Sequence, residues 1–171
     1  MLKNSLFYLL LIVQLISCDN NYRSGMVVSA KHEASKAGID ILKRGGNAFD
    51  AMIATDLALA VVYPNAGNLG GGGFMVYRLS DGKNGTLDYR EKAPINSKVD
   101  MYLDDNNQVI KGLSQNGALA IGVPGTIAGL FEIHDKFGSI PIKELFQPAI
   151  DLANNGYKLT SNQVNTINNY K

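Results

Sequence analysis

Asn65-Ala66-Gly67-Asn68-Leu69-Gly70-Gly71-Gly72-Gly73 runs directly into Phe74-Met75-Val76-Tyr77-Arg78-Leu79. Such a glycine run invites comparison with a phosphate-binding loop. Those loops lie between a strand and the N-terminus of a helix, where free backbone N–H groups and the helix dipole face the anion. Here the order is inverted: an apolar helix precedes the glycines, a strand follows them, and no Gly-Lys-Ser/Thr is present. A nucleotide-binding module is therefore disfavoured. Glycine carries no Cβ, so the expected roles are a tight crossing of backbones and the floor of a pocket.

The sequence on both sides of this run predicts mixed helices and strands, an α/β (α+β) fold. Upstream, residues 48–62 are apolar nearly all round, so that helix must be buried. Asn47 is its expected N-cap, with Asp50 favourable in the first turn. An amphipathic helix over 33–44 comes earlier, with Ala34, Ala37 and Ile41 at helical spacing and Gly45-Gly46 as its stop. Met26-Val27-Val28-Ser29 is β-prone and is expected to enter the fold as a strand. Downstream, Asp81-Gly82-Lys83-Asn84-Gly85 is a turn leading into Thr86-Leu87-Asp88-Tyr89-Arg90, which makes a β-hairpin. Alternation places Leu87 and Tyr89 on one face and Asp88 and Arg90 on the other. Residues 93–115 are polar and turn-rich, and 117–123 are expected to be extended. Helices follow over 126–137, capped by Thr126, and over 142–154, bent at Pro148. Thr160-Ser161-Asn162-Gln163 is a capping-box pattern, so a further helix starts there and the sequence stops within it. That suggests a polypeptide or gene cut short.

The N-terminus reads as an address. Residues 1–17 hold one early lysine, Lys3, and then an apolar run interrupted only by Gln14. A secretory signal has this form, with an apolar segment of about 7–15 residues. A bilayer span needs about 20. Leu15-Ile16-Ser17-Cys18 resembles the lipobox of bacterial lipoproteins, and Cys18 is the chain's one cysteine. Lipidation at Cys18, a polar tether over 18–24 and a mature part over 25–171 are the expectation. The chain would then sit on the periplasmic side of a bacterial envelope, joined to the membrane by its lipid anchor. An ordinary signal peptide, or a buried N-terminal helix with a chance cysteine, is the competing reading.

Composition excludes several classes. Apolar residues make up 46% and charged residues 18% of the chain, and the net charge is +1, so no basic stripe points to nucleic acid. Lys36, Lys43 and Arg44 read as the solvated face of a helix. One cysteine can form neither an internal disulfide nor a zinc site. His32 and His134 stand far apart without a second ligand at metal spacing, and His134 reads as a helical surface residue. Ser29, Thr55, Thr86, Thr126 and Thr160 are available hydroxyls, but none lies in Gly-x-Ser-x-Gly or Ser-x-x-Lys. Arg90 closes a strand and precedes Glu91-Lys92-Ala93-Pro94. Its planar fork suits a carboxylate. From spacing alone, a surface arginine paired with Asp88 or Glu91 is the simpler reading.

Several motifs then occur in a fixed order. They are Gly45-Gly46-Asn47-Ala48-x-Asp50-Ala51, Pro64-x-Ala66-Gly67-Asn68-Leu69-Gly70-Gly71-Gly72-Gly73-Phe74-Met75 and Asp88-Tyr89-Arg90-Glu91-x-Ala93-Pro94, followed by Gly122-Val123-Pro124-Gly125-Thr126-x-Ala128-Gly129 and Gln147-Pro148-Ala149-Ile150-x-Leu152-Ala153-x-x-Gly156. Together they resemble the γ-glutamyltranspeptidase (glutathione hydrolase) family over about 25–165. The resemblance implies part of an N-terminal nucleophile hydrolase αββα sandwich, incomplete in this chain, and no cofactor or metal. It implies γ-glutamyl compounds such as glutathione as substrates, and Arg90 as the residue that binds the glutamyl α-carboxylate. In that family a precursor cuts itself, and the new N-terminal threonine of the small subunit attacks the γ-glutamyl amide. That threonine and the oxyanion donors would lie in a C-terminal or small-subunit segment beyond Lys171, so this chain alone supplies no catalytic residue. An inactive truncated remnant, or a lipid-anchored binding protein, is the alternative.

Overall fold

The computed structural model describes residues 25–66 and 68–169. The expected signal peptide, the tether and Cys18 lie outside them. Helix α1 (His32–Lys43) buries Ala34, Ala37, Gly38 and Ile41, the stripe its periodicity marks, and turns off at Gly45, whose φ is +93°. Helix α2 (Ala48–Val62) packs against it. The two approach closely because Gly38 faces Thr55; a Cβ there would lie 2.3 Å from Thr55 Oγ1.

The expected cap of α2 is present as a full capping box. Asn47 Oδ1 accepts from the backbone N–H groups of Phe49 and Asp50, and Asp50 Oδ2 accepts from Asn47 N–H at 2.9 Å. Strands β1 (Phe74–Arg78) and β2 (Asn84–Asp88) form an antiparallel hairpin with Met75 opposite Leu87 and Tyr77 opposite Gly85. The second strand starts earlier than its sequence pattern suggested. Leu79 N–H donates to Lys83 O at 2.7 Å, and this tight closure lets Asn84 and Gly85 pair at once. Helices α3 (Thr126–Phe137), α4 (Ile142–Asn155) and α5 (Ser161–Asn168) complete the described chain.

The helices and the inner face of the hairpin pack around a main core. Ile41, Ile53, Ala54, Leu57, Met75, Leu130, Ile133 and Leu145 are buried together. Burying a side chain such as Ile53 or Leu130 contributes about 1.5–3 kcal/mol relative to exposure. Phe49 and Phe137 stack at 4.3 Å and 16°, and Tyr77 joins them edge-on from β1. A second cluster of Ala34, Ala37, Ala58 and Val62 joins α1 to α2. The outer face of the hairpin carries Phe74 and Val76 to solvent.

Three expectations are corrected. Met26-Val27-Val28-Ser29 pairs with no strand among the described residues; the sheet there is the two-stranded hairpin alone. Residues 117–123 are not extended throughout, because Ala118–Ala120 forms a 3-10 turn before Val123 bridges to Lys92. Thr126 does not cap α3. It is the first helical residue after Gly125, and its hydroxyl donates to Asn68 O at 3.2 Å. The glycine loop brings that carbonyl within reach, and a tertiary acceptor replaces the local one.

Candidate functional site

Arg90 stands where the glycine loop, the end of β2 and the start of α3 converge. Gly73 and Tyr89 exchange backbone hydrogen bonds of 3.4 and 3.0 Å, extending the hairpin by one pair. Gly71 O accepts from both Gly125 N–H and Thr126 N–H, at 2.9 and 3.1 Å, and so joins the glycine loop to the first turn of α3. The glycines are there because nothing larger fits. A Cβ on Gly72 would lie 2.6 Å from Tyr89 O, one on Gly125 2.0 Å from the same atom, and one on Gly129 2.3 Å from Tyr89 Cγ. The tight crossing expected from the sequence is therefore a cradle for Tyr89 and the Arg90 backbone.

The cradle fixes the base of Arg90 and leaves its head accessible. Arg90 N–H donates to Asp88 Oδ1 at 3.0 Å, which turns the chain out of the ladder. The guanidinium lies over the Phe74 ring, 5.7 Å from its centroid, within the range of a cation–π contact. Its Nε is 3.7 Å from Glu91 Oε2, too long for a hydrogen bond, and the side chain is 63% exposed. An exposed pair of that length contributes about 0–1 kcal/mol. The five donors of the fork are thus largely uncommitted to Asp88 or Glu91.

Tyr89 separates two cavities. One, of about 410 Å³, is lined by Arg90, Lys92, Asp88, Pro124 and Gly129. The other, of about 580 Å³, lies between the 25–29 segment and α2 and is lined by Met26, Val28, Met52, Asp56, Phe74 and Tyr89. Helix α2 is thus not enclosed on every side within the described chain. Burial pushes the Asp56 carboxyl above its ordinary value, and burial together with the Asp56 charge pushes the Tyr89 phenol up. The apolar pattern of α2 conceals this aspartate, and no motif in the sequence singles it out.

The other candidate residues have structural roles. Asp50 is 0% exposed and accepts from Ser139 N–H at 3.0 Å and Ser139 Oγ at 2.5 Å as well as from Asn47. Burial opposes its ionisation, yet the hydrogen bonds from Ser139, Asn47 and Ile140 prevail and hold the carboxyl below its ordinary value. His134 is half-buried, and its Nε2 pairs with Ile140 O at 2.8 Å, so it braces the α3–α4 turn and is not a free surface residue. Thr55 bonds back to Ala51 O at 2.7 Å, and Ser29 to Lys31 O at 2.8 Å. Thr160 and Gln163 form the expected capping box, and Gln163 Nε2 ties α5 to Val62 O at 2.9 Å. Among the described residues, no His/Cys/Asp/Glu group could hold a metal ion, and no helix is long and apolar enough to cross a membrane.

This helical layer under a hairpin matches part of N-terminal nucleophile hydrolases of known structure. It superposes on the crystal structure of Helicobacter pylori γ-glutamyltranspeptidase with a TM-score of 0.82 and 45% identity, covering 88% of this chain and 43% of that one. The enzyme from Pseudomonas nitroreducens complexed with L-DON gives 0.81 and 45%, over 88% and 44%. Residues 34–171 match the model of the family described as gamma-glutamyltranspeptidase, and the chain belongs to that family. It is 51% identical over 144 residues to the glutathione hydrolase proenzyme of Pseudomonas sp. strain A14, which covers 84% of this chain. The chain spans about 25% of that relative's length.

Proposed function

We propose that this chain is the N-terminal part of the large subunit of a γ-glutamyltranspeptidase and that Arg90 receives the α-carboxylate of the γ-glutamyl group. One observation carries the reading: a rigid glycine cradle holds the Arg90 backbone while its guanidinium remains exposed beside a cavity of about 410 Å³. A planar fork in that setting binds a carboxylate through two parallel hydrogen bonds. Phe74 beneath it limits the orientations of the fork and so lowers the entropy lost on binding.

In this reading the chemistry belongs to a segment not contained in residues 1–171. An N-terminal threonine there, activated by its own amine, attacks the γ-glutamyl amide of glutathione or a related compound. Backbone N–H groups stabilise the oxyanion, and the glutamyl group passes to water or to an amino acid. Arg90 contributes orientation, since fixing the α-carboxylate sets where the γ-carbonyl lies. Cys18 carries the lipid, and the protein faces the periplasm of a bacterial envelope.

The test is kinetic, on an enzyme that joins this chain to the remaining segment. Arg90→Ala raises KM for γ-glutamyl substrates, and Arg90→Lys restores little because an ammonium lacks the planar fork. An unchanged KM in Arg90→Ala rejects the assignment. This chain alone releases no p-nitroaniline from a γ-glutamyl anilide; release would overturn the view that its nucleophile lies elsewhere.

A further inference from the structure

Asn-Gly occurs at 84–85, 116–117 and 155–156. Glycine after asparagine leaves the backbone nitrogen unshielded, so its attack on the asparagine side chain is limited mainly by whether the fold has already engaged that nitrogen. At two of the steps it has. Gly156 N–H donates to Leu152 O at 3.0 Å at the end of α4. Gly85 lies opposite Tyr77 in the hairpin. Hydrogen-bonded pairs recur at every second position of an antiparallel ladder. Gly73–Tyr89 and Leu79–Lys83 are such pairs, so Tyr77–Gly85 between them is one as well.

The third step differs. Asn116 and Gly117 are both exposed, and Gly117 has φ +87° with nothing within 4 Å of where a Cβ would stand. Asn116 N–H bonds back to Gly112 O at 3.0 Å, and Gly117 O accepts from Ala120 N–H, but the Gly117 N–H has no backbone acceptor among the described residues.

We propose that Asn116 is a site of spontaneous modification, deamidating through a cyclic imide formed with Gly117. Hydroxide takes the Gly117 amide proton, and the nitrogen attacks Asn116 Cγ. The new C–N bond closes a five-membered imide as the Cγ–Nδ2 bond breaks; the leaving nitrogen takes a proton from water, departs as ammonia and regenerates hydroxide. Water then opens the ring at one carbonyl or the other and leaves aspartate or isoaspartate at 116. No oxidation or reduction occurs. Either product adds a negative charge, and isoaspartate also adds a methylene to the main chain. Both changes fall just before the segment in which Leu119 O accepts from Tyr102 Oη at 2.8 Å and Val123 bridges to Lys92, next to Arg90.

The experiment incubates the folded chain at mildly alkaline pH and follows each Asn-Gly peptide by mass, with the same chain unfolded in denaturant as reference. In the folded chain Asn116 converts at least about tenfold faster than Asn84 and Asn155, because local protection is lost in proportion to opening. In denaturant the three rates converge. The acidic isoform disappears in Asn116→Gln. Folded-state conversion of Asn84 or Asn155 as fast as Asn116, or an acidic isoform that persists in Asn116→Gln, overturns the assignment.

Discussion

Gly125 and Tyr89 meet backbone to backbone: a Cβ on Gly125 would stand 2.0 Å from Tyr89 O. The contact joins the N-terminus of α3 to the strand end that presents Arg90. Gly125→Ala must therefore move Tyr89 or the helix, since neither atom belongs to a flexible side chain. We expect a loss of about 1–3 kcal/mol in stability, typical of overpacking, measured by denaturant unfolding. Gly45→Ala meets no atom within 4 Å and is strained only by its positive φ, so it costs about 1 kcal/mol. Equal costs for the two would mean that the cradle is not tight.

With Arg90 in the proposed role, Arg90→Ala in a complete enzyme would remove the fork from the glutamyl carboxylate. Truncating one partner of a hydrogen-bonded charge pair costs about 2–4 kcal/mol, which corresponds to a rise of roughly 30- to 700-fold in KM. Initial-rate kinetics with a γ-glutamyl anilide reads this directly. Phe74→Leu keeps the guanidinium but removes the ring under it, and a smaller rise in KM, about fivefold for a lost contact of roughly 1 kcal/mol, is expected.

Asp50 ties the start of α2 to the α3–α4 turn through Ser139 and Ile140. Asp50→Ala strips acceptors from buried donors and costs about 2–4 kcal/mol, measured by thermal or urea unfolding. Its folded carboxyl lies below the ordinary value of 3.8, so the unfolded state takes up protons first. The stability it confers is complete above that value and is lost as pH falls through the folded one. Acid unfolding of Asp50→Asn should lack this limb.

Asp56 acts with the opposite sign. Burial raises its folded carboxyl above 3.8, so the folded state holds the proton longer. Its cost is absent at low pH and grows as pH rises from the ordinary value through the raised one. Asp56→Asn therefore stabilises this chain at neutral pH by about 1 kcal/mol, seen as a higher melting temperature, and leaves the acid limb of Asp50 in place. A lower melting temperature in Asp56→Asn at neutral pH sinks this account.

Much of the fold was legible along the chain because its signals are local. The apolar run of 48–62, capped by Asn47 and followed by Tyr63-Pro64, marks α2 without reference to anything else. The hairpin turn at Gly82, with φ +88°, and the capping box at Thr160 are likewise specified by near neighbours. The role proposed for Arg90 rests on the motif order around it; its spacing alone suggested a surface pair with Asp88 or Glu91.

Periodicity, caps and turn chemistry are readable along the chain, since they arise between residues a few positions apart. The long-range partners were set by packing. Thr126 bonds Asn68 instead of capping its own helix, Met26-Val27-Val28-Ser29 stays unpaired among the described residues, and Gly72, Gly125 and Gly129 close around Tyr89. These contacts depend on the packing of α3 against the glycine loop, and backbone proximity across such sequence separations leaves no local pattern to read.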